Sequence, residues 1–242
     1  MPPKRLGLLI PSADVIVEQD FRNYLPRAID YYVARMFQGH ALDVGRANLN
    51  NMIDSMKGAA ENIAHVDPDL VCFCCTSASF IGGHGSDIAL QERISSFAKA
   101  PAVTTSSALV QALKAMGIAN IYMLTPYPRE FNEAEIAFLK SSGVEVKRHS
   151  SFDCRKSKDI PKITDDQIVD RVLSDRDAIA ACDAVFISCT NLPAMRRAAE
   201  LESALDKPVI TSNSVTMWAA LRGLQANMSE VHAGRLFTIA SA

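Results

Sequence analysis

Short apolar runs bounded by Pro, Ser or Gly alternate along the chain with stretches whose apolar residues recur every three or four positions, the signature of a βα repeat. Leu6–Ile10 is the first run and ends at Pro11; the stretch after it, carrying Phe21 and Leu25, predicts a helix. Ala41–Ala47 reads as the second strand, followed by a helix with Met52, Met56 and Ile63. Leu70–Cys75 is apolar at every position, as expected of a strand covered on both faces. Ala102–Thr104 predicts a short strand running into a helix over Ser107–Met116, Ile121–Thr125 a strand ending at Pro126, and Asp165–Cys182 a further helix. This order predicts an α/β fold with mainly parallel sheets and right-handed crossovers.

The pattern is written twice. Pro11 at the end of the first strand answers to Pro126, Cys75-Thr76 to Cys189-Thr190, and Pro101 to Pro208, at offsets of 115, 114 and 107. Any one of these matches is within the ordinary likeness of parallel α/β units. Three in order, with a Cys-Thr pair at the same strand end, predict duplicated halves, residues 1–117 and 118–242. Ligands of open parallel sheets sit beyond the carboxyl ends of the strands. Two halves related by a pseudo-twofold axis would therefore bring Pro11, Cys75, Pro126 and Cys189 to one cleft between them. The tail Leu236–Ala242 is expected to pack back on one half.

Cys75-Thr76-Ser77 and Cys189-Thr190-Asn191 carry the sharpest chemical signal. Each cysteine closes an apolar strand just where backbone N–H groups become free to hold a carboxylate or an oxyanion. The same donors favour a thiolate. Thiols on both sides of a planar carbon can move a proton from one face to the other, or one can add covalently while its partner protonates. A lone cysteine is usually a small buried hydrophobe; two at equivalent strand ends weaken that reading. Cys72 and Cys74 share the strand face opposite Cys75 and read as core, while Cys154 and Cys182 show no partner pattern.

Other candidates carry less. Cys72, Cys74, Cys75 and His84 lack the spacing of a zinc site. Gly82-Gly83-His84-Gly85-Ser86 lacks the Lys-Ser/Thr of a phosphate loop and reads as a flap over the cleft. No dinucleotide fingerprint follows the first strand, so no cofactor is expected. None of the five histidines sits beside a cysteine at a strand end, which counts against a Cys-His hydrolase. Tyr127 falls at the cleft and offers a hydroxyl to a carboxylate, although packing on a loop fits its spacing nearly as well. Arg155, Lys156 and Lys158 form a basic cluster of the kind that is usually solvated surface.

Composition narrows the partners. With 48% apolar residues, 21% charged residues and a formal net charge of −2, nothing calls for nucleic acid. No apolar run approaches the roughly 20 residues of a membrane span. Lys4 and Arg5 before Leu6–Ile10 resemble a signal peptide only briefly, because Pro11 and Asp14 cut the run short. A cytoplasmic protein with six reduced cysteines is expected, and homo-oligomerisation is left open.

At these residues the sequence resembles the aspartate/glutamate racemase superfamily, and within it the branch of maleate cis-trans isomerases and arylmalonate decarboxylases. The resemblance runs through Ile10-Pro11-Ser12, Cys75-Thr76-Ser77, Thr125-Pro126-Tyr127, Ser188-Cys189 and Lys207-Pro208-Val209. It implies two Rossmann-like halves with the active site between them. It implies Cys75 and Cys189 as catalytic residues and Ser12, Asp14, Thr76, Ser77, Tyr127, Thr190 and Asn191 as substrate-binding residues for a small carboxylate. Arylmalonate decarboxylases have glycine at the position of Cys75, so the two cysteines here follow the isomerase and racemase pattern. In maleate isomerases the first cysteine adds to the double bond and the second supplies and removes the proton. The place of an asparagine in their first loop is taken by Asp14. An ionised Asp14 repels a dicarboxylate unless it is protonated or paired with Arg155 or Lys156; an amine or amide opposite it is the more natural partner. The alternatives are a decarboxylase using mainly Cys189 and a non-catalytic carboxylate-binding protein.

Overall fold

The computed structural model describes residues 3–239. The fully apolar segments become the interior strands. β1 (Lys4–Pro11) is followed by α1 (Val17–Tyr24), β2 (Ile29–Met36), α2 (Arg46–Ala64), β3 (Leu70–Phe73), α3 (Thr76–Phe80), α4 (Ser86–Ala98), β4 (Ala102–Thr104) and α5 (Thr105–Ala115). The series then repeats. It continues with β5 (Asn120–Thr125), α6 (Arg129–Ser141), β6 (Glu145–Ser151), a 3₁₀ turn (Ser157–Lys162), α7 (Asp165–Ser174), α8 (Arg176–Ile179) and β7 (Ala184–Ile187). A 3₁₀ turn (Met195–Arg197), α9 (Ala198–Leu205), β8 (Val209–Thr211), α10 (Ser212–Gly223) and a last 3₁₀ turn (Arg235–Thr238) complete it.

Two parallel four-stranded sheets result, in the orders β2-β1-β3-β4 and β6-β5-β7-β8. The repetition extends to register. Leu6 pairs with Leu70 and Leu9 with Phe73 in one sheet, and Ile121 with Ala184 and Leu124 with Ile187 in the other. β3 and β7 are buried at every residue, as strands covered on both faces must be. Each three-residue outer strand runs directly into a helix through a capping box, Thr104 with Ser107 and Thr211 with Ser214.

The two sheets meet through α5 and α10. Thr105 Oγ1 and Thr216 Oγ1 are 3.0 Å apart between these helices. α10 also reaches the first sheet: a Cβ added at Gly223 would stand 3.2 Å from Leu70 Cδ2, a tight contact that the Leu70 side chain would have to relieve by a few tenths of an ångström. Of the C-terminal tail, Leu236 and Phe237 are buried, and the Arg235 N–H donates to the Glu202 carboxylate on α9 at 2.8 Å. Residues 240–242 of that tail lie outside the described residues.

Three sequence expectations are corrected. The second strand is Ile29–Met36, whereas residues 41–45 form a loop with an isolated bridge between Asp43 and Lys156, and Arg46 and Ala47 open α2. Asp43 and Gly45 interrupt that apolar run, whereas the true strand is an outer one whose polar face weakened its signal. The expected helix over Asp165–Cys182 is broken at Asp175 into α7 and α8. The strand expected over Leu70–Cys75 leaves the sheet after Phe73, and Cys74 holds on through its N–H to the Leu9 carbonyl at 2.9 Å. Among the described residues, no helix is long and apolar enough to cross a membrane.

Candidate active site

β3 and β7 deliver Cys75 and Cys189 to the wall of one small cavity of about 40 Å³ between the halves. The two cysteines arrive differently. Cys75 is the residue before α3, in extended backbone with φ = −152°. The Ala78 and Ser77 N–H groups face its sulfur, and Ser77 Oγ lies 3.7 Å from it. Cys189 has φ = 97°, a strained backbone for a side chain with a Cβ. Its own N–H donates to Ser212 Oγ at 2.9 Å, while the Asn191 N–H and the Tyr127 hydroxyl face its sulfur.

Burial governs both thiols and the nearby donors partly offset it. Burial pushes the Cys75 thiol up to about 11, against the opposing pull of the Ala78 N–H and Ser77. It pushes Cys189 up further, despite Tyr127 and the Asn191 N–H, and the charge of Asp14 raises both. Cys72 and Cys74, wholly buried, are also raised by burial. Of the two cavity thiols, Cys75 is therefore the easier to ionise, and Cys189 the better kept as an acid.

Thr76 does not line the cavity; its hydroxyl donates to Ser212 Oγ at 2.8 Å. Ser77 and Tyr127 do line it. The Tyr127 ring packs on Phe131, with centroids 6.2 Å apart, and burial raises its hydroxyl far above the ordinary range. Thr190 and Asn191 line the cavity too, but their side chains are largely spent on the protein. Thr190 Oγ1 donates to Asp14 Oδ2 at 2.9 Å. Asn191 Oδ1 accepts the Val15 N–H at 3.0 Å, and its Nδ2 reaches the Ala13 and Ser157 carbonyls. Ser12 stands one step back from the wall, its hydroxyl accepting the Gln38 N–H at 3.2 Å.

Asp14 is buried at the cavity wall in the turn before α1, with Oδ1 accepting the Ile16 and Val17 N–H groups at 2.9 and 3.0 Å. Burial raises its carboxyl to about 6 against these donors and Thr190. Arg155 and Lys156 do not neutralise it, because they pair with Asp153 and Asp43 at the surface. The guanidinium that does bear on it is Arg35, which donates to the Asp14 carbonyl at 2.8 Å.

The roof comes from residues the sequence did not mark. Gln38, Asp43, Val44, Gly45, Asn48 and Leu49 close the cavity from the loop after β2 and the start of α2, and Ser157 and Ile160 from the other half. The two loops are clasped by Val44 N–H to the Arg155 carbonyl at 2.9 Å, Ser157 N–H to the Leu42 carbonyl at 2.8 Å, and the Asp43–Lys156 ion pair. None of residues 82–86 lines the cavity, so the flap expected there is replaced by this clasp. Ser212 was also missed, although it ends the Pro208-Val-Ile-Thr-Ser match to the first half. No group of three or more His, Cys, Asp or Glu residues is placed to hold a metal ion among the described residues.

Comparison with known proteins places this geometry. Maleate isomerase from Nocardia farcinica is 24% identical over 96% of this chain and 95% of its own. Arylmalonate decarboxylase from Bordetella bronchiseptica is 23% identical over 90% of this chain and 89% of its own. The fold is shared with a solved variant of the Nocardia farcinica maleate cis-trans isomerase carrying a covalently bound succinylcysteine intermediate. That match has a TM-score of 0.89 and 23% identity, covering 97% of this chain and 98% of that one. The family model described as arylmalonate decarboxylase matches residues 6–237. With nearly its whole length matched, the chain belongs to the arylmalonate decarboxylase family, within the aspartate/glutamate racemase superfamily.

Proposed function

We propose that this protein is a cofactor-independent cysteine isomerase acting on the double bond of a small unsaturated carboxylate. The observation that carries the reading is the pair of unequal thiols, Cys75 and Cys189, at equivalent strand ends on one cavity. The Cys75 thiolate adds to one alkene carbon, forming a C–S bond, while the Cys189 thiol gives its proton to the neighbouring carbon. The former double bond is then single and rotates. Cys189, now a thiolate held by the Tyr127 hydroxyl and the Asn191 N–H, takes the proton back, and Cys75 leaves as a thiolate. Atoms and charge balance without an oxidant or a cofactor. Ser77 lines the cavity with a hydroxyl that can hold the substrate carboxylate beside the thiols, and Tyr127 can donate to it while Cys189 still carries its proton.

Likeness to the Nocardia farcinica isomerase, whose solved variant carries a succinylcysteine, supports this chemistry. Decarboxylation through Cys189 alone would leave Cys75 and its surrounding donors without a role. We assign residues 1–117 and 118–242 as the two halves that close on the substrate. Six unpaired cysteines suit a reducing compartment such as the cytoplasm.

The test is proton NMR of cis-enoic acids incubated with the protein in deuterium oxide. Expected are cis-to-trans conversion, its loss in Cys75→Ser, and a substrate adduct on Cys75 detectable by mass spectrometry in Cys189→Ser. Release of carbon dioxide without isomerisation would reverse the assignment in favour of a decarboxylase.

A further inference from the structure

Resting on that reading of the site, we propose that the substrate is a monoanion, with one carboxylate beside the thiols and an uncharged primary amide at the other end. The wall facing that second end has the hydrogen-bonding complement of an amide and opposes a second carboxylate. Among the described residues, none that lines the cavity is Lys, Arg or His, and two are aspartates, Asp14 and Asp43.

The orientation of each polar group at this end is fixed by its protein partner. Gln38 Oε1 accepts the Ala13 N–H at 3.1 Å, so Nε2 is the group left as a donor. Asn48 Nδ2 donates to the Asp43 carbonyl, so Oδ1 is the group left as an acceptor. Asp14 and Asp43, when ionised, only accept. The Asp14 oxygens already accept two N–H groups and the Thr190 hydroxyl. The groups left open are therefore one donor, Gln38 Nε2, and two acceptors, Asn48 Oδ1 and Asp43 Oδ2. They match a primary amide, whose carbonyl takes one hydrogen bond and whose NH₂ gives two. A carboxylate has no proton to offer and would meet acceptors.

The neighbouring cations do not reverse this. Arg35 donates to the Asp14 carbonyl and pairs with Glu18, so it is not presented to the cavity. Lys156 is paired with Asp43 and lies outside the wall. Two like charges about 4 Å apart, at an effective dielectric of about 20, lose roughly a thousandfold in affinity. Mobile water and the Asp43–Lys156 pairing reduce that figure, and a preference of at least roughly tenfold remains expected.

The test separates binding from turnover by using saturated analogues that cannot isomerise. Succinamate and succinate are titrated against the whole protein by calorimetry at pH 7.5, and maleamate and maleate are compared as substrates. Succinamate is expected to bind at least about tenfold more tightly than succinate, and maleamate to be the better substrate. Asp14→Asn, or Asp43→Asn on the roof if the first variant folds poorly, should narrow the gap by strengthening succinate. Succinate binding as well as succinamate, or neither binding at millimolar concentration, overturns the proposal. If maleate is turned over but succinate is preferred, the isomerase reading stands and the amide assignment falls. If succinamate is preferred and neither alkene is isomerised, the amide assignment stands and the isomerase reading falls.

Discussion

Thr76 and Ser212 join the two halves directly behind the thiols: Thr76 Oγ1 donates to Ser212 Oγ at 2.8 Å, and that same oxygen accepts the Cys189 N–H at 2.9 Å. One hydroxyl therefore sets the position of the turn after Cys75 and the strained backbone of Cys189 together. The strain at Cys189, with φ = 97°, is tolerable because its N–H has this fixed partner.

Ser212→Ala should release both turns. It leaves the buried Cys189 N–H without a partner, which costs about 1–3 kcal/mol of stability. Turnover should fall by roughly tenfold to a hundredfold, since small misplacements of reacting groups are costly. Denaturation and steady-state kinetics on the same preparation check both. Unchanged kcat with reduced stability would make Ser212 a packing residue only.

The thiols should react in a set order. Cys75 is pushed to about 11, lower than Cys189, and Cys72 and Cys74 are wholly buried. Alkylation followed by peptide mapping should label Cys75 before Cys189, Cys72 and Cys74, with a rate that climbs as pH rises toward 11. Asp14 raises Cys75 through its charge, so Asp14→Asn should move that rate profile to lower pH. Labelling of Cys72 before Cys75 would contradict the assignment.

Tyr127 was legible in the sequence as a cavity residue because it follows a strand end that repeats. Its partnership with Cys189 was not, since it depends on how two distant loops fold together. The interior strands were readable for a physical reason: β3 and β7 are buried on both faces and so are apolar throughout. β2 was misplaced because only part of it is buried, and its Tyr-Tyr-Val-Ala-Arg run alternates too weakly to outweigh the apolar residues of the later loop. That misplacement hid Gln38, Asp43 and Asn48, whose role comes from a clasp between loops more than a hundred residues apart. Thr76, Thr190 and Asn191 were located correctly at the strand ends. Burial alone could not tell that their side chains bind protein groups.

Tyr127→Phe removes one hydroxyl and keeps the ring against Phe131. Loss of a donor that holds developing charge costs about 2–4 kcal/mol in the transition state, a drop of about 10²–10³ in kcat. Stability should change little, because the Tyr127 ring still fills its place. Turnover of a verified substrate by the variant at the parent's rate would reduce Tyr127 to packing.

Glu135 ties the fold to pH. It is fully buried on α6, Oε1 accepts the Ser188 hydroxyl at 2.7 Å, and Oε2 has no partner among the described residues. Burial raises its carboxyl to about 8, and Asp14 and Asp20 are raised by burial to about 6 and about 7. In the unfolded chain such groups lose their protons near pH 4. Between about pH 4 and 8 the folded protein therefore holds protons that the unfolded chain has released, and stability falls as pH rises through that window. Glu135→Gln keeps the shape and the acceptor for Ser188 but has no proton to lose. At pH 8 it should exceed the parent in stability by on the order of 3 kcal/mol, since each tenfold difference in proton affinity between the folded and unfolded chain is worth about 1.4 kcal/mol. The advantage should shrink toward pH 5, where Glu135 is protonated in the folded parent. Urea denaturation of both proteins from pH 5 to 9 measures the two slopes. Parallel curves would mean that Glu135 folds with its charge intact and that Oε2 is stabilised by a group other than a proton.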